Sequence, residues 1–182
     1  LGAGGMGVVY DVFDRERKTR VALKALRTLG GVELMRFKNE FRALSDVHHA
    51  NLVSLGELIH HDGQWFFTME LVDGWDLLSH VRPDGKLDLG RRRATLAQLA
   101  HGRVSLHAAG KVHRDIKPSN VRVTREGRVV LLDLGLVTDA HRDGVARTSS
   151  DQVVGTPAYM APEQAQSKPA TPAADWYAVG VV

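Results

Sequence analysis

The chain contains no cysteine, which excludes a disulfide framework and a zinc site built on thiolates. It has no internal repeat, no low-complexity tract and no apolar run near the roughly 18 residues that a membrane helix needs. The net charge of +3 is too small to indicate a nucleic-acid or membrane-surface partner. Hydrophobic residues make up 43% and charged residues 25% of the chain, which is typical of a folded globular protein.

The most informative stretch is residues 113–120, His-Arg-Asp-Ile-Lys-Pro-Ser-Asn, which brings an acid, basic side chains and an amide together. An Asp-Leu-Gly triplet that begins at Asp133 follows the apolar run 129–132. An Asp at the end of a buried strand is poorly suited to packing and well suited to holding a metal ion. Asp115 as a base, with Asn120 and Asp133 as oxygen ligands, predicts a site for a hard cation such as Mg²⁺.

A glycine-rich stretch at the start of the chain contains Gly2, Gly4 and Gly7. The pattern Gly-x-Gly-x-x-Gly also marks dinucleotide-binding folds, but those need a helix directly after the glycines. Here residues 8–13 are rich in β-branched and aromatic side chains, and a polar turn leads to a second strand around 21–26. The glycines therefore join two antiparallel strands, where their N–H groups could contact phosphates. A hairpin without a ligand is the alternative for this motif taken alone.

Lys24 lies inside the second strand, and period-two alternation places it on the same face as Ala22 and Leu26. A lysine on a core-side face needs a counter-charge. Residues 33–47 predict an amphipathic helix, because apolar residues recur at spacings of three and four at Leu34, Phe37, Phe41 and Leu44. Glu40 lies at the margin of this apolar stripe, so we expect it to pair with Lys24. A solvated surface glutamate is the alternative.

Together these motifs resemble those of protein kinases, most closely the bacterial, eukaryotic-like serine/threonine protein kinases. Four further segments match in the expected order, namely Val-Ala-Leu-Lys at 21–24, Gly-Thr-Pro at 155–157, Ala-Pro-Glu at 161–163 and Asp-Trp-Tyr-Ala-Val-Gly at 175–180. Any one of the motifs could arise by chance, but the complete series in this order is specific. The resemblance covers residues 1–182.

The resemblance implies an α+β, two-lobed protein-kinase-like fold. Residues 1–69 would form a small antiparallel β lobe with one helix, residues 70–74 a hinge, and residues 75–182 a mainly helical larger lobe. The chain opens directly on the glycines and ends inside what the family has as a long helix. We therefore expect a single, truncated catalytic domain from a longer protein.

The resemblance also implies a set of site residues. The catalytic positions are Asp115, Lys117, Lys24 and Glu40, and the Mg²⁺ ligands are Asn120 and Asp133. The ATP-binding positions are Gly2, Gly4, Gly7, Val9, Ala22, Lys24, Met69, Glu70, Val72, Asp76 and Arg122. Asp76 would contact the ribose, and its alternative is a helix N-cap for the residues that follow. A family apolar column through both lobes would take in Leu44, Leu55, Leu134, His113 and Asp175.

Two arginines depart from the family pattern. Arg122 occupies the floor beneath adenine, where an apolar side chain is usual, opposite Val9 and Ala22. Its head could reach solvent or stack on the base, and it could weaken ATP binding. Arg103 falls on the apolar stripe of the helix before residues 113–120, and we expect its head to reach solvent in the same way.

The implied activity is transfer of the γ-phosphate of Mg²⁺–ATP to Ser or Thr hydroxyls of protein substrates. Arg114, next to the proposed base, implies control by a phosphate in the segment 136–156. We expect autophosphorylation at Thr148 or Ser150, with dimer formation for transfer in trans, whereas Thr156 would bond Asp115 and Lys117.

Two other functions are alternatives to this activity. A pseudokinase scaffold would keep the fold without turnover, and ATP turnover distinguishes it from a working enzyme. Small-molecule phosphotransferases of related fold carry His-Gly-Asp and lack the Gly-Thr-Pro and Ala-Pro-Glu segments, so the sequence disfavours them. The resemblance implies a cytoplasmic catalytic domain whose parent protein could be anchored in a membrane by segments outside these residues.

Overall fold

The computed structural model describes residues 2–4, 7–26, 30–134, 157–166 and 168–182. The first part of these residues forms a five-stranded antiparallel sheet. Its strands follow the order β1-β2-β3-β5-β4, with β1 (Gly2–Gly4), β2 (Gly7–Asp14), β3 (Thr19–Leu26), β4 (Leu55–His61) and β5 (Gln64–Glu70). Gly4 is paired with Gly7 in the β1–β2 ladder, so the prediction that the glycines join two antiparallel strands is confirmed.

One helix, α1 (Gly31–Ser45), packs against this sheet. The predicted helix over 33–47 is confirmed, although it begins and ends two residues earlier. The carboxylate of Glu33 accepts a hydrogen bond from the backbone N–H of Gly30 at 2.9 Å, which secures the first turn. The rings of Phe37 and Phe41 lie 6.0 and 5.6 Å from the ring of Phe67 on β5, so the predicted apolar stripe faces the sheet.

The second part of the described chain is mainly helical. Its elements are β6 (Gly74–Asp76), α2 (Leu77–Val81), α3 (Leu89–Ala108), β7 (Val121–Thr124), β8 (Val129–Leu131), α4 (Pro162–Ala165) and α5 (Pro172–Val181). Strands β6, β7 and β8 form a small antiparallel sheet in that order. The apolar run before Asp133 forms β8, as expected of a buried strand, and β8 ends at Leu131. Apolar side chains of both parts form one continuous core.

The connection from α1 to β4 ties the two parts together. The side-chain amide of Asn51 donates to the carbonyl of Val129 at 2.8 Å and to Oε1 of Gln98 on α3 at 3.0 Å. Leu131 donates its N–H to the carbonyl of Asn51, and Val53 donates to the carbonyl of Leu131, each at 3.0 Å. Residues 51–53 therefore bond to the edge of β8 although β4, which follows them, belongs to the first sheet.

Glycine at position 102 allows this connection to lie directly on α3. A Cβ atom at Gly102 would come within 2.9 Å of the carbonyl oxygen of Asn51 and 3.0 Å of its Cβ. Either the helix or the connection would have to shift to make room for it. None of the helices in the described part of the chain is long and apolar enough to cross a membrane.

Replacing Asn51 by alanine is expected to lower the free energy of unfolding by about 1–3 kcal/mol, because its two side-chain hydrogen bonds are lost. Urea unfolding of the wild-type and variant proteins, followed by circular dichroism, measures the difference. Asn39→Ala is the matched control, since Asn39 is exposed on α1 and the chemical change is identical. Equal unfolding midpoints for wild type and Asn51→Ala would show that the connection contributes nothing to stability.

Candidate active site

The loop 113–120 brings three of the predicted site residues together. Nζ of Lys117 lies 2.8 Å from Oδ2 of Asp115. The side-chain amide of Asn120 donates to the same oxygen at 3.1 Å and to the main-chain carbonyl of Asp115 at 2.8 Å. A short helical turn, Pro118–Asn120, folds the chain back so that Asn120 can reach Asp115. One carboxylate is thus held between a cation and an amide.

The amide of Asn120 is oriented by these bonds. Because its nitrogen faces Asp115, its side-chain oxygen faces the other way, and no described residue donates a hydrogen bond to that oxygen. An amide oxygen and a carboxylate oxygen are ligands that Mg²⁺ accepts, and Asn120 with Asp133 would supply one of each.

Asp133 meets Lys24 across the two parts of the molecule. Nζ of Lys24 donates to Oδ1 of Asp133, and Lys24 is buried while Asp133 is half-buried. Asp133 comes two residues after β8 and has a positive φ of 50°, a conformation that is uncommon for a residue with a side chain. This backbone bend turns the carboxylate out of the line of the strand and towards β3.

The prediction that Lys24 pairs with Glu40 is wrong. Glu40 pairs instead with Lys111, whose Nζ lies 3.0 Å from Oε1, and Lys24 pairs with Asp133. Lys24 and Glu40 therefore each pair with a different residue of opposite charge. The assignment of Glu40 to the catalytic set stays a prediction.

His113 links the loop to the end of β8. Its Nε2–H donates to the carbonyl of Leu132 at 2.8 Å, and its Nδ1 accepts the N–H of Asp115 at 3.3 Å. Complete burial lowers the pKa of His113 below its ordinary value, although the carbonyl of Leu132 partly opposes this. A neutral ring with hydrogen on Nε2 satisfies both contacts, so His113 holds Asp115 and the segment before Asp133 in a fixed relation.

Arg114 is the strained residue of the loop. Its φ of 69° lies in the left-handed region, which costs a non-glycine residue roughly 1–2 kcal/mol. Its N–H donates to Oδ1 of Asp175 at 2.7 Å, and its carbonyl accepts a hydrogen bond from the side chain of Gln164 at 2.9 Å. Asp175 also accepts the N–H of His113 through Oδ2 at 2.9 Å. The bend immediately before Asp115 is therefore held on both sides.

The residues of the predicted apolar column are all buried or half-buried, and the column itself stays a prediction. Leu44 and Leu134 are buried in the common core, and Leu55 is half-buried against it. His113 and Asp175 are buried as well, and the N–H of His113 joins them.

Several predicted nucleotide-binding residues lie on adjoining strands. Ala22 is paired with Met69 between β3 and β5, and Val9 is paired with Lys24 between β2 and β3. Ala22 and Met69 are buried, whereas Val9 is half-buried. The sheet register therefore groups the side chains of Val9, Ala22 and Met69 close to the Lys24–Asp133 pair.

The residues after β5 have contacts of their own. The carboxylate of Glu70 pairs with Arg128 of the second part, and its N–H donates to the carbonyl of Ser54 at 2.9 Å. Val72 is half-buried and packs against the core. These contacts fix the crossing between the two parts of the chain close to the pair formed by Ala22 and Met69.

Asp76 is the N-cap of α2. Its carboxylate accepts hydrogen bonds from the N–H of Ser79 at 3.0 Å and from the hydroxyl of Ser79 at 2.6 Å. These bonds lower the pKa of Asp76. Of the two alternatives for this residue, the helix cap is therefore confirmed, and the ribose contact stays a prediction.

Arg122 is half-buried on β7, where it is paired with Asp76 on β6 and with Val130 on β8. Its Nη1 lies 3.4 Å from the carbonyl oxygen of Gly74, at the start of β6. The guanidinium of Arg122 is thus hydrogen-bonded to the main chain of the segment that connects the two parts of the molecule.

Gly7 is the glycine that the first strands require. Its φ is 128°, and a Cβ atom there would overlap the carbonyl oxygen of Ala25 on β3. Gly2 and Gly4 form β1 beside it. The proposed phosphosites Thr148 and Ser150, with Thr156, lie outside the described residues.

Sequence reasoning was wrong about Arg103. Its head does not reach solvent, because the residue is 0% exposed and its guanidinium pairs with the buried Asp175. Burial lowers the pKa of Arg103 to about 10, although Asp175 opposes the shift. The position of Arg103 on the apolar stripe of its helix was the feature of the sequence that could have indicated its burial. Lys111 and Gln164 were missed altogether, since a lysine near a loop and a glutamine on a short helix are ordinary surface patterns.

Comparison with known proteins agrees with this geometry. The model of the protein kinase domain family matches residues 1–182. The chain is 34% identical over 190 residues to the serine/threonine-protein kinase PknA of Mycobacterium tuberculosis, covering 100% of this chain and 44% of that protein. It is 37% identical over 192 residues to the serine/threonine-protein kinase pkn3 of Myxococcus xanthus, again over the whole chain and 35% of the relative.

A third relative is the serine/threonine-protein kinase PkaA of Streptomyces coelicolor, which is 34% identical over 199 residues, with 100% of this chain and 36% of the relative covered. The chain thus spans less than half the length of each of these relatives. Its α+β architecture fits the family-model match over its full length. The chain belongs to the protein kinase domain family.

Proposed function

We propose that the protein containing this domain is a serine/threonine protein kinase that transfers the γ-phosphate of Mg²⁺–ATP to Ser or Thr hydroxyls of other proteins. The observation that carries the proposal is the ion pair between Lys24 and Asp133, which joins the first sheet to the residues that follow β8. It brings a candidate phosphate-binding cation and a candidate metal ligand to one point between the two parts of the molecule. The names of the relatives support the same activity.

The residues present fit a magnesium ion shared with ATP. Mg²⁺ usually takes one or two carboxylates from the protein and fills its other positions with water and substrate phosphates. Asp133 would supply the carboxylate and Asn120 the amide oxygen. Among the described residues no group of three or more His, Cys, Asp or Glu side chains could hold a metal by itself, which agrees with a site completed by the nucleotide. When bound, the metal neutralises charge on the phosphates.

Asp115 is the group that would orient the hydroxyl of the protein substrate. Its carboxylate is held by Lys117 and Asn120, so it has a defined direction before any substrate arrives. Asp115 would accept the proton of the attacking hydroxyl, and Lys117 would neutralise charge on the transferred phosphoryl group. Such chemistry depends on position and charge rather than on a covalent intermediate.

Lys24 would bind the α- and β-phosphates of ATP. In the structure the charge of this buried lysine is balanced by Asp133. The base and ribose would lie against Val9, Ala22, Met69 and the segment 70–76, with Arg122 opposite. The attachment of Arg122 to Gly74 supports a position at the edge of this surface.

We further propose that Thr148 or Ser150 accepts phosphate from a second copy of the protein, and that Arg114 contributes to binding it. A phosphate opposite an arginine gains charge-assisted hydrogen bonds, which can order a loop. The catalytic domain would act in the cytoplasm.

Asp115→Asn is expected to lower kcat by about 100-fold or more, since the general base is lost, while the affinity for Mg²⁺–ATP stays within about twofold. Phosphate transfer from labelled ATP to a generic protein substrate, with titration of nucleotide binding, measures both in the full-length protein. The matched control is Asp62→Asn, because Asp62 is exposed in the β4–β5 turn. Near-normal transfer by Asp115→Asn would contradict the proposed role, and no transfer by the folded parent protein would favour a scaffold.

Phosphate is expected on Thr148 or Ser150 in active full-length protein, where mass spectrometry would locate it. The double variant Thr148→Ala, Ser150→Ala should lose most of its transfer activity, because the segment lacks its ordering phosphate, whereas Ser149→Ala should keep it. An active preparation without phosphate at either position would count against this regulation.

A further inference from the structure

Arg103 is a charged residue placed where the helix α3 otherwise faces the core. The residue is 0% exposed, and its neighbours on the same face, Leu99 and Leu106, are also fully buried. Its Nη2 contacts Oδ2 of Asp175 and Nε2 of His107, and its guanidinium carbon lies 5.8 Å from the centre of the Trp176 ring. The side chain is therefore aimed at the start of α5.

Packing alone does not explain an arginine at this position. Within the described part of the chain, its Nε and Nη1 atoms have no hydrogen-bond acceptor. A buried charge with incomplete hydrogen bonding is costly, and an apolar side chain of similar volume would often be as stable or more so. The lowered pKa of Arg103, about 10, expresses the same unfavourable burial. We therefore expect the charge of Arg103 to act through its partner, Asp175.

Asp175 is connected directly to the loop that carries the proposed base. Its Oδ2 accepts the N–H of His113 at 2.9 Å and lies 3.0 Å from Nε2 of His107, while Oδ1 accepts the N–H of Arg114 at 2.7 Å. Arg114 has the left-handed φ of 69°, and Asp115 is the next residue. A buried carboxylate that lacks a counter-charge is costly, so the cation beside Asp175 supports its hold on these two N–H groups.

We propose that Arg103 is a positioning residue for the phosphoryl transfer. Its positive charge balances the buried carboxylate of Asp175, and that carboxylate holds the main chain of His113 and Arg114 in the bend that presents Asp115. The inference rests on the proposed function for its effect on turnover, but its effect on the two backbone N–H groups is independent of that function. Arg103 touches neither nucleotide nor substrate and acts only through Asp175.

The test compares three variants of the full-length protein. Arg103→Met removes the charge and keeps a long apolar side chain, Arg103→Lys keeps the charge, and Arg93→Met makes the same change as the first on the exposed face of the same helix. The readouts are kcat, KM for ATP, and amide hydrogen exchange of a peptide spanning residues 111–117, with exchange of the β5 peptide 64–70 as the internal reference.

Arg103→Met should lower kcat by about tenfold or more and leave KM for ATP within about twofold, because the base is misplaced while the nucleotide contacts remain. Exchange at His113 and Arg114 should accelerate by about tenfold, with the 64–70 peptide unchanged. Arg103→Lys should recover most of the protection and of kcat, and Arg93→Met should match the parent.

Unchanged kcat and unchanged exchange at residues 113 and 114 in a folded Arg103→Met protein would overturn the proposal. Faster exchange in both peptides, with kcat and stability lost together and no recovery in Arg103→Lys, would also overturn it, since that pattern describes a general packing defect. If Arg103→Met does not fold, the Arg103→Lys variant provides the test. Protection of the two N–H groups within about threefold of the parent would support the proposal. Loss of that protection in a protein of parental stability would contradict it.

A failure of the proposed function is recognised separately. In that case the parent protein transfers no phosphate, but the exchange experiment still reports whether Arg103 secures the loop. Loss of protection in Arg103→Met would then support the positioning contact, and unchanged protection would refute it.

Discussion

The buried carboxylate of Asp175 is the constraint on which the candidate active site depends. It accepts main-chain N–H groups from His113 and Arg114, and so holds a left-handed bend that the chain would otherwise leave. Asp115 follows this bend and meets Lys117 and Asn120. Because the carboxylate comes from α5, the direction of the proposed base is set by a helix that follows it by about sixty residues in the sequence.

A second constraint relates this loop to the first sheet. The connection 51–53 is bonded to β8, and β8 leads to Asp133, which pairs with Lys24 on β3. The ring of His113 bonds the carbonyl of Leu132 in the same segment. The proposed base, the proposed metal ligand and the proposed phosphate-binding lysine are therefore connected by short paths of hydrogen bonds and one ion pair. No single strand or helix contributes all three.

Local relations were predictable from the sequence, and distant ones only in part. Asp115, Lys117 and Asn120 are close in the chain, so their grouping followed from their spacing, and the three-and-four spacing of apolar residues located α1. The partner of Lys24 was wrongly predicted as Glu40, because periodicity places a carboxylate on a face without saying which distant cation it meets. The burial of Arg103 was missed for the same reason. The sequence pattern of an arginine on an apolar stripe is the same whether its head reaches solvent or pairs with a carboxylate 72 residues further along the chain.

The bonds from Asp175 to residues 113 and 114 use only the main chain of those residues. The two bonds themselves therefore do not depend on which side chain position 114 carries. Proline cannot take position 114, because it has no N–H to donate and its ring fixes φ near −65°, far from the 69° of Arg114.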